Sequence, residues 1–125
     1  MKKNIYLFFA GQITGVEGYV ESISSGFVAA INACILYNIY KEEKKEDIEE
    51  KYEENKIIYP DETVIGALSK YISTKNEKFQ PMNANFGILP QLDEKIKDKK
   101  EKNTQIAQKS LDKVKKCCNG QIGVL

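Results

Sequence analysis

A chain of 125 residues is long enough for one modest domain, or part of one, with a core that buries roughly two thirds of the unfolded surface. Charge is nearly balanced, at +1 with 30% of residues charged, so no overall basic field marks a nucleic-acid binder. The 19 basic residues are all lysine, and histidine, arginine and tryptophan do not occur, which excludes imidazole bases, histidine metal ligands and bidentate guanidinium clamps.

The opening MKKNIYLFFAG imitates a secretory signal, but its apolar run of about six residues falls short of the roughly 7–15 such a signal needs, so export is not expected. Residues 4–9 have the continuous apolar, aromatic character of a strand buried on both faces of a parallel sheet. The chain then runs through AGQITGVEGYVES, with Gly11, Gly15 and Gly18 close together, into a predicted helix over residues 18–40. Val20, Ile23, Phe27, Ile31 and Cys34 recur along that helix at steps of three and four. A second stripe of Ser22, Gly26, Ala29 or Ala30, and Ala33 is small, which predicts close packing on the sheet that receives the strand. GFVAAINACILYNIY contains Asn32 and Asn38 and falls short of about 20 clean apolar residues, so no membrane span is expected.

Residues 41–56, KEEKKEDIEEKYEENK, carry five lysines and eight acids and read as a low-complexity charged insertion, either a solvated helix extension or a flexible segment. In IIYPDETVIGALSKYIS, Pro60 ends an extended piece and Asp61 or Glu62 is expected to open a helix whose apolar positions are Ile65, Leu68 and Ile72. FQPMNANFGILP, residues 79–90, holds two prolines and Gly87, which forbid a helix, yet it is too apolar for an exposed loop. An ordered, inward-facing loop is expected, of the kind that often builds sites. From Asp93 to Lys116 a helix is predicted, acids first and lysines later, with Ala107, Leu111 and Val114 as a sparse apolar face. Its nine lysines against five acids could track RNA phosphates or simply keep the helix soluble. Cys34, Cys117 and Cys118 make neither a disulfide framework nor a CxxC zinc pattern; they suit a reducing cytoplasm and suggest no metal site.

Gly11, Gly15 and Gly18, with Thr14 between them, form a strand-loop-helix junction whose backbone N–H groups can converge on an anion or a carbonyl oxygen. The spacing is neither GxGxxG nor a P-loop. A cofactor loop and a tight packing turn both satisfy it.

LFFAGQITGVEGYVESISSG followed by AAINA, and then ETVIGALSKYIS and KFQPMNANFGILP, resemble in order the C-terminal region of the folate- and flavin-dependent tRNA uracil-5-methyltransferases, the TrmFO family, relatives of the GidA/MnmG flavoproteins. Thr14, Val16, Glu17 and residues 79–87 favour the methyltransferases over the flavoproteins that modify the wobble uridine. The resemblance implies an α/β fragment, mostly helical. Residues 1–40 would be the last strand, loop and helix of a Rossmann-like FAD-binding domain, residues 41–56 a charged insertion, and residues 57–125 a small helical C-terminal region. It further implies cofactor contacts from Gly11, Gln12, Ile13, Thr14, Gly15, Val16, Glu17, Gly18 and Tyr19, with Asn83, Asn85, Phe86 and Gly87 behind them. Glu17 and Glu21 have an alternative role as first-turn acids that complement the helix dipole.

In that family methylenetetrahydrofolate and reduced FAD, with NAD(P)H as co-substrate, form 5-methyluridine at uracil-54 of the tRNA T-loop. The family's GxGxxG unit and nucleophilic cysteines do not occur in this sequence, and Cys34 reads as structural. The chain is therefore expected to work with an N-terminal FAD-binding half and to be inactive alone. The alternative is a non-catalytic remnant, or an RNA- or flavin-binding module.

Overall fold

The computed structural model describes residues 4–92 and 96–121, which fall into two compact units, Met1–Ile58 and Tyr59–Leu125. Among the described residues there are four α-helices and one short 3-10 helix.

The first unit begins with an irregular segment where a strand was expected. Asn4 starts a turn: its Oδ1 accepts from the Tyr6 amide at 3.0 Å and its carbonyl from the Leu7 amide at 3.3 Å. Residues 7–10 belong to no sheet. The physical reason is pairing, because a strand exists only when a neighbour supplies the other half of its hydrogen-bond ladder. The apolar run nevertheless has a local outlet: Ile5 and Phe8 pack on a core of Leu36, Ile48 and Tyr52, while Tyr6, Leu7 and Phe9 are more than half exposed.

After the 3-10 helix Gly11–Thr14 comes α1, Tyr19–Glu42, close to its predicted span. Its buried residues are Asn32 and Leu36, with Ile35 and Ile39 packed beside them. Val20, Ile23, Phe27 and Cys34 of the predicted stripe are exposed instead. Nor does Gly26 meet a close neighbour, since a Cβ there would find open space. The helix is apolar nearly all round, so periodicity could not single out the side that this chain covers. By length and composition alone α1 could cross a membrane. Asn32 ties it to non-helical chain, however, donating from Nδ2 to the Ile57 carbonyl at 3.0 Å and accepting at Oδ1 from the Ile57 amide at 2.8 Å.

The charged run is not wholly solvated. Its first residues extend α1, and Ile48–Asn55 forms α2, from which Ile48 and Tyr52, one helical turn apart, enter the core. Phe8 meets the Tyr52 ring edge-on at 6.3 Å between centroids.

In the second unit α3 spans Val64–Ser73 and α4 spans Lys99–Gln121. α3 starts later than predicted because Thr63, not Asp61 or Glu62, is its cap. Fully buried, Thr63 accepts from the Gly66 amide at 3.0 Å and donates its hydroxyl proton to the Pro60 carbonyl at 2.7 Å. The unit's core joins Ala67 of α3, Leu89 of the connecting loop and Ile106 of α4, with Ile88 and Leu92 against it.

The predicted start of the last helix at Asp93 lies outside the described residues, and residues 96–98 are not helical. Asp98 marks the real beginning of α4, its Oδ1 accepting from the Glu101 amide at 2.8 Å. The inward side of α4 is set by Ile106 and Ser110 rather than Leu111, which is 56% exposed.

Candidate functional site

Gly11, Gly15 and Gly18 all have positive φ, at 74°, 92° and 88°. Residues with a Cβ enter that region only under strain, so the three glycines are a backbone requirement of the turn. The turn holds itself together. The Gly15 amide donates to the Gln12 carbonyl at 2.9 Å, and the Thr14 hydroxyl donates to the Gly11 carbonyl at 2.7 Å. It is also tied to α1, because the Gly11 amide donates to Ser25 Oγ at 2.8 Å and that hydroxyl donates to the Ser22 carbonyl at 2.9 Å.

Gly18 then opens α1 with no side-chain cap, and the first intrahelical bond is Ser22 N–H to the Gly18 carbonyl at 3.1 Å. The amides of Tyr19 and Val20 therefore precede the first i to i−4 bond of the helix. Twenty-four residues of aligned peptide dipoles end at that point. Such an end favours an anion or an electron-rich oxygen. Gln12, Ile13, Glu17, Gly18 and Tyr19 are exposed around it, Tyr19 by 93%, whereas Val16 is 1% exposed and can offer only its backbone. Thr14 has committed its proton to Gly11, which leaves its oxygen as an acceptor.

The other predicted residues lie in the second unit. Asn85 organises its own loop: Oδ1 accepts from the Gly87 amide at 2.7 Å, and Nδ2 donates to the Asn83 carbonyl at 2.9 Å. Asn85 and Gly87 line an open hollow of about 610 Å³ with Lys70, Tyr71 and Met82. Phe86 instead lines a hollow of about 560 Å³ with Lys99, Lys100, Asn103 and Thr104. Sequence reasoning missed Tyr71, which stacks on Phe79 at 5.5 Å and donates to the Gln80 carbonyl at 2.9 Å.

Of the lysines at the end of α4, Lys109, Lys115 and Lys116 are exposed, while Lys113 is 3.2 Å from Glu62. Together with a backbone hydrogen bond, which is the larger influence, Lys113 holds the Glu62 carboxyl below its usual range. Cys34 and Cys117 are free thiols, and Cys118 lies outside the described side chains.

The model of the family described as glucose inhibited division protein A matches residues 1–44. Over 119 residues the chain is 44% identical to the methylenetetrahydrofolate-tRNA-(uracil-5-)-methyltransferase TrmFO of Ligilactobacillus salivarius, covering 94% of this chain and 24% of the relative. It is 50% identical over 109 residues to the protein of that name from Bacillus subtilis, covering 86% and 22%. With that of Halalkalibacterium halodurans it shares 48% over 114 residues, covering 90% and 23%. The chain thus spans about a quarter of the length of these curated relatives. No solved structure gives a significant match.

Proposed function

Because the chain belongs to the TrmFO/GidA family, we propose that it supplies the glycine loop and a helical region to a cytoplasmic flavoprotein that methylates uracil-54 in the tRNA T-loop. It would act with an N-terminal FAD-binding half equivalent to the part of its relatives that it does not match. Bound FAD, once reduced, acts with methylenetetrahydrofolate to supply the methyl group, with NAD(P)H as the source of reducing equivalents.

The observation that carries this reading is the succession of three positive-φ glycines ending in a helix N-terminus with no side-chain cap. That arrangement fits an electron-rich cofactor edge. At the three glycines it brings no side chain into the approach path, and the Tyr19 and Val20 amides precede the first i to i−4 bond of α1. In this proposal the backbone amides of Ile13, Thr14 and Val16 and the start of α1 bear on the flavin and favour negative charge on its reduced form, the Gly15 amide being held by the Gln12 carbonyl. Gln12 donates from its exposed side chain and Thr14 accepts. Asn83, Asn85, Phe86 and Gly87 are proposed as supporting residues, and Lys109, Lys115 and Lys116 as contacts to tRNA phosphates.

The test replaces the matching segment of the Bacillus subtilis relative with this chain and measures flavin content and tRNA uracil methylation. Flavin retained by the graft and lost in Gly15→Val is the expected result, since a branched side chain resists positive φ and blocks the approach. Equal flavin in both would reduce the loop to a packing turn. The chain by itself should bind FAD weakly or not at all, because one loop offers a fraction of the contacts a dinucleotide needs.

A further inference from the structure

α1 has two apolar sides, and this chain uses one. Around the helix, Val28, Asn32, Ile35, Leu36 and Ile39 cluster on the side that carries its buried residues and the contacts to Tyr52. Roughly opposite run Val20, Ile23, Phe27, Ala30, Cys34 and Tyr37, at alternating steps of three and four residues. All six are exposed, Val20 and Ile23 by 72%, Phe27 by 54% and Tyr37 by 56%. Between Tyr19 and Tyr40 the only charged residue is Glu21, which lies off this seam. In the segment leading into the helix Leu7, Phe9 and Ile13 are also each more than half exposed.

Folded monomers rarely leave so long an uncharged apolar strip open. The occupant is indicated by length. Some 86–94% of this chain matches proteins about four times as long, so in those relatives the equivalent helix folds in the company of a large body of chain outside the matched stretch.

We propose that the Val20–Ile23–Phe27–Cys34–Tyr37 side of α1 is the docking surface for the polypeptide equivalent to the unmatched three quarters of its relatives. The inference rests on the family reading given above but concerns assembly, not flavin. A surface with no charges gives little steering, so association depends on desolvating the strip, with Phe27 and Tyr37 as the aromatic anchors.

Cys34 sits inside the strip and reports on it. In the isolated chain N-ethylmaleimide should modify Cys34 freely. In the graft with the Bacillus subtilis relative its rate should fall by about tenfold or more while Cys117 changes little, because thiol reactivity follows access. A folded graft in which Cys34 reacts as fast as in the isolated chain overturns the proposal.

Ile23→Asp with Phe27→Asp provides a second readout. The isolated chain should keep its helical content and urea midpoint. When co-expressed with the unmatched part of the relative, the tagged wild-type chain should recover that polypeptide and the double variant should not. Equal recovery, no recovery by wild type, or unfolding of the isolated variant each overturns the proposal. Protection of Cys34 by phosphatidylglycerol vesicles but not in the graft would assign the strip to a membrane. Protection that rises with the chain's own concentration, without protection in the graft, would assign it to a second copy. A graft with Cys34 protected but no flavin would retain this surface and sink the reading of the glycine loop.

Discussion

The two helix entrances at Gly18 and Thr63 solve the same problem in opposite ways. At α3 the Val64 and Gly66 amides both find side-chain acceptors. Thr63 Oγ1 accepts from the Gly66 amide, Ser110 Oγ accepts from the Val64 amide at 3.3 Å, and the Pro60 carbonyl receives both the amide and the hydroxyl of Thr63. At α1 the entrance residue is a glycine, which has no side chain with which to cap the helix. One entrance is capped by a side chain of the chain itself, and the other is not. The difference teaches where to look for a ligand: at the helix end that the chain could have capped and did not.

The harshest way to break the closed entrance is Gly66→Ala. A Cβ on Gly66 would lie 2.1 Å from the Pro60 carbonyl oxygen and 2.6 Å from that of Tyr59, so backbone must move. Urea unfolding should show a loss of about 3 kcal/mol, at the upper end for overpacking. A loss under about 0.5 kcal/mol, the range of a neutral surface change, would mean the turn before α3 is soft.

Thr63→Val keeps the shape and removes the cap. It leaves the Gly66 amide buried without its acceptor, and about 1–2 kcal/mol should be lost in the same measurement. Rescue by Thr63→Ser, which restores the hydroxyl, would confirm that the cap and not the methyl group is responsible.

At the open entrance, Gly15→Ala should cost about 1 kcal/mol in the isolated chain from its positive φ alone. The same change should lower flavin content in the graft far more than that strain accounts for. Proportionate losses in both would erase the contrast between the two entrances.

The smallest expected effect belongs to Glu62 and Lys113. The folded carboxyl is held below its usual range, so its contribution is present above the unfolded carboxylate pKa and disappears as pH falls through the folded one. Wild type and Lys113→Met should therefore differ slightly near neutrality and converge in acid, the pair being partly solvent-exposed. A difference that persists at low pH would point to packing of the lysine stem.

Much of the first entrance was legible in the residues. Glycines at 11, 15 and 18 announced a turn with unusual backbone angles, and α1 and α3 followed from their apolar spacing. Thr63 was overlooked beside Asp61 and Glu62, although threonine three residues before Gly66 is an ordinary cap signal. Ile48 and Tyr52 were hidden by the charges around them, since two apolar residues in a run of lysines and glutamates carry little periodic signal. Asn32 read as a polar interruption of an apolar helix; its role appears only when Ile57 is brought beside it from 25 positions away.

What the sequence by itself determined is therefore local: the positive-φ glycine turn, because only residues without a Cβ settle there cheaply, and the helical spans, because spacing and caps act within a few residues. Only the tertiary structure decided which side of α1 is covered, that residues 7–10 make no strand, and where α4 turns its buried side. Those outcomes depend on partners. A helix apolar all round has no preferred inner side until something packs on it, and a strand does not exist until a second one supplies the other half of its hydrogen bonds.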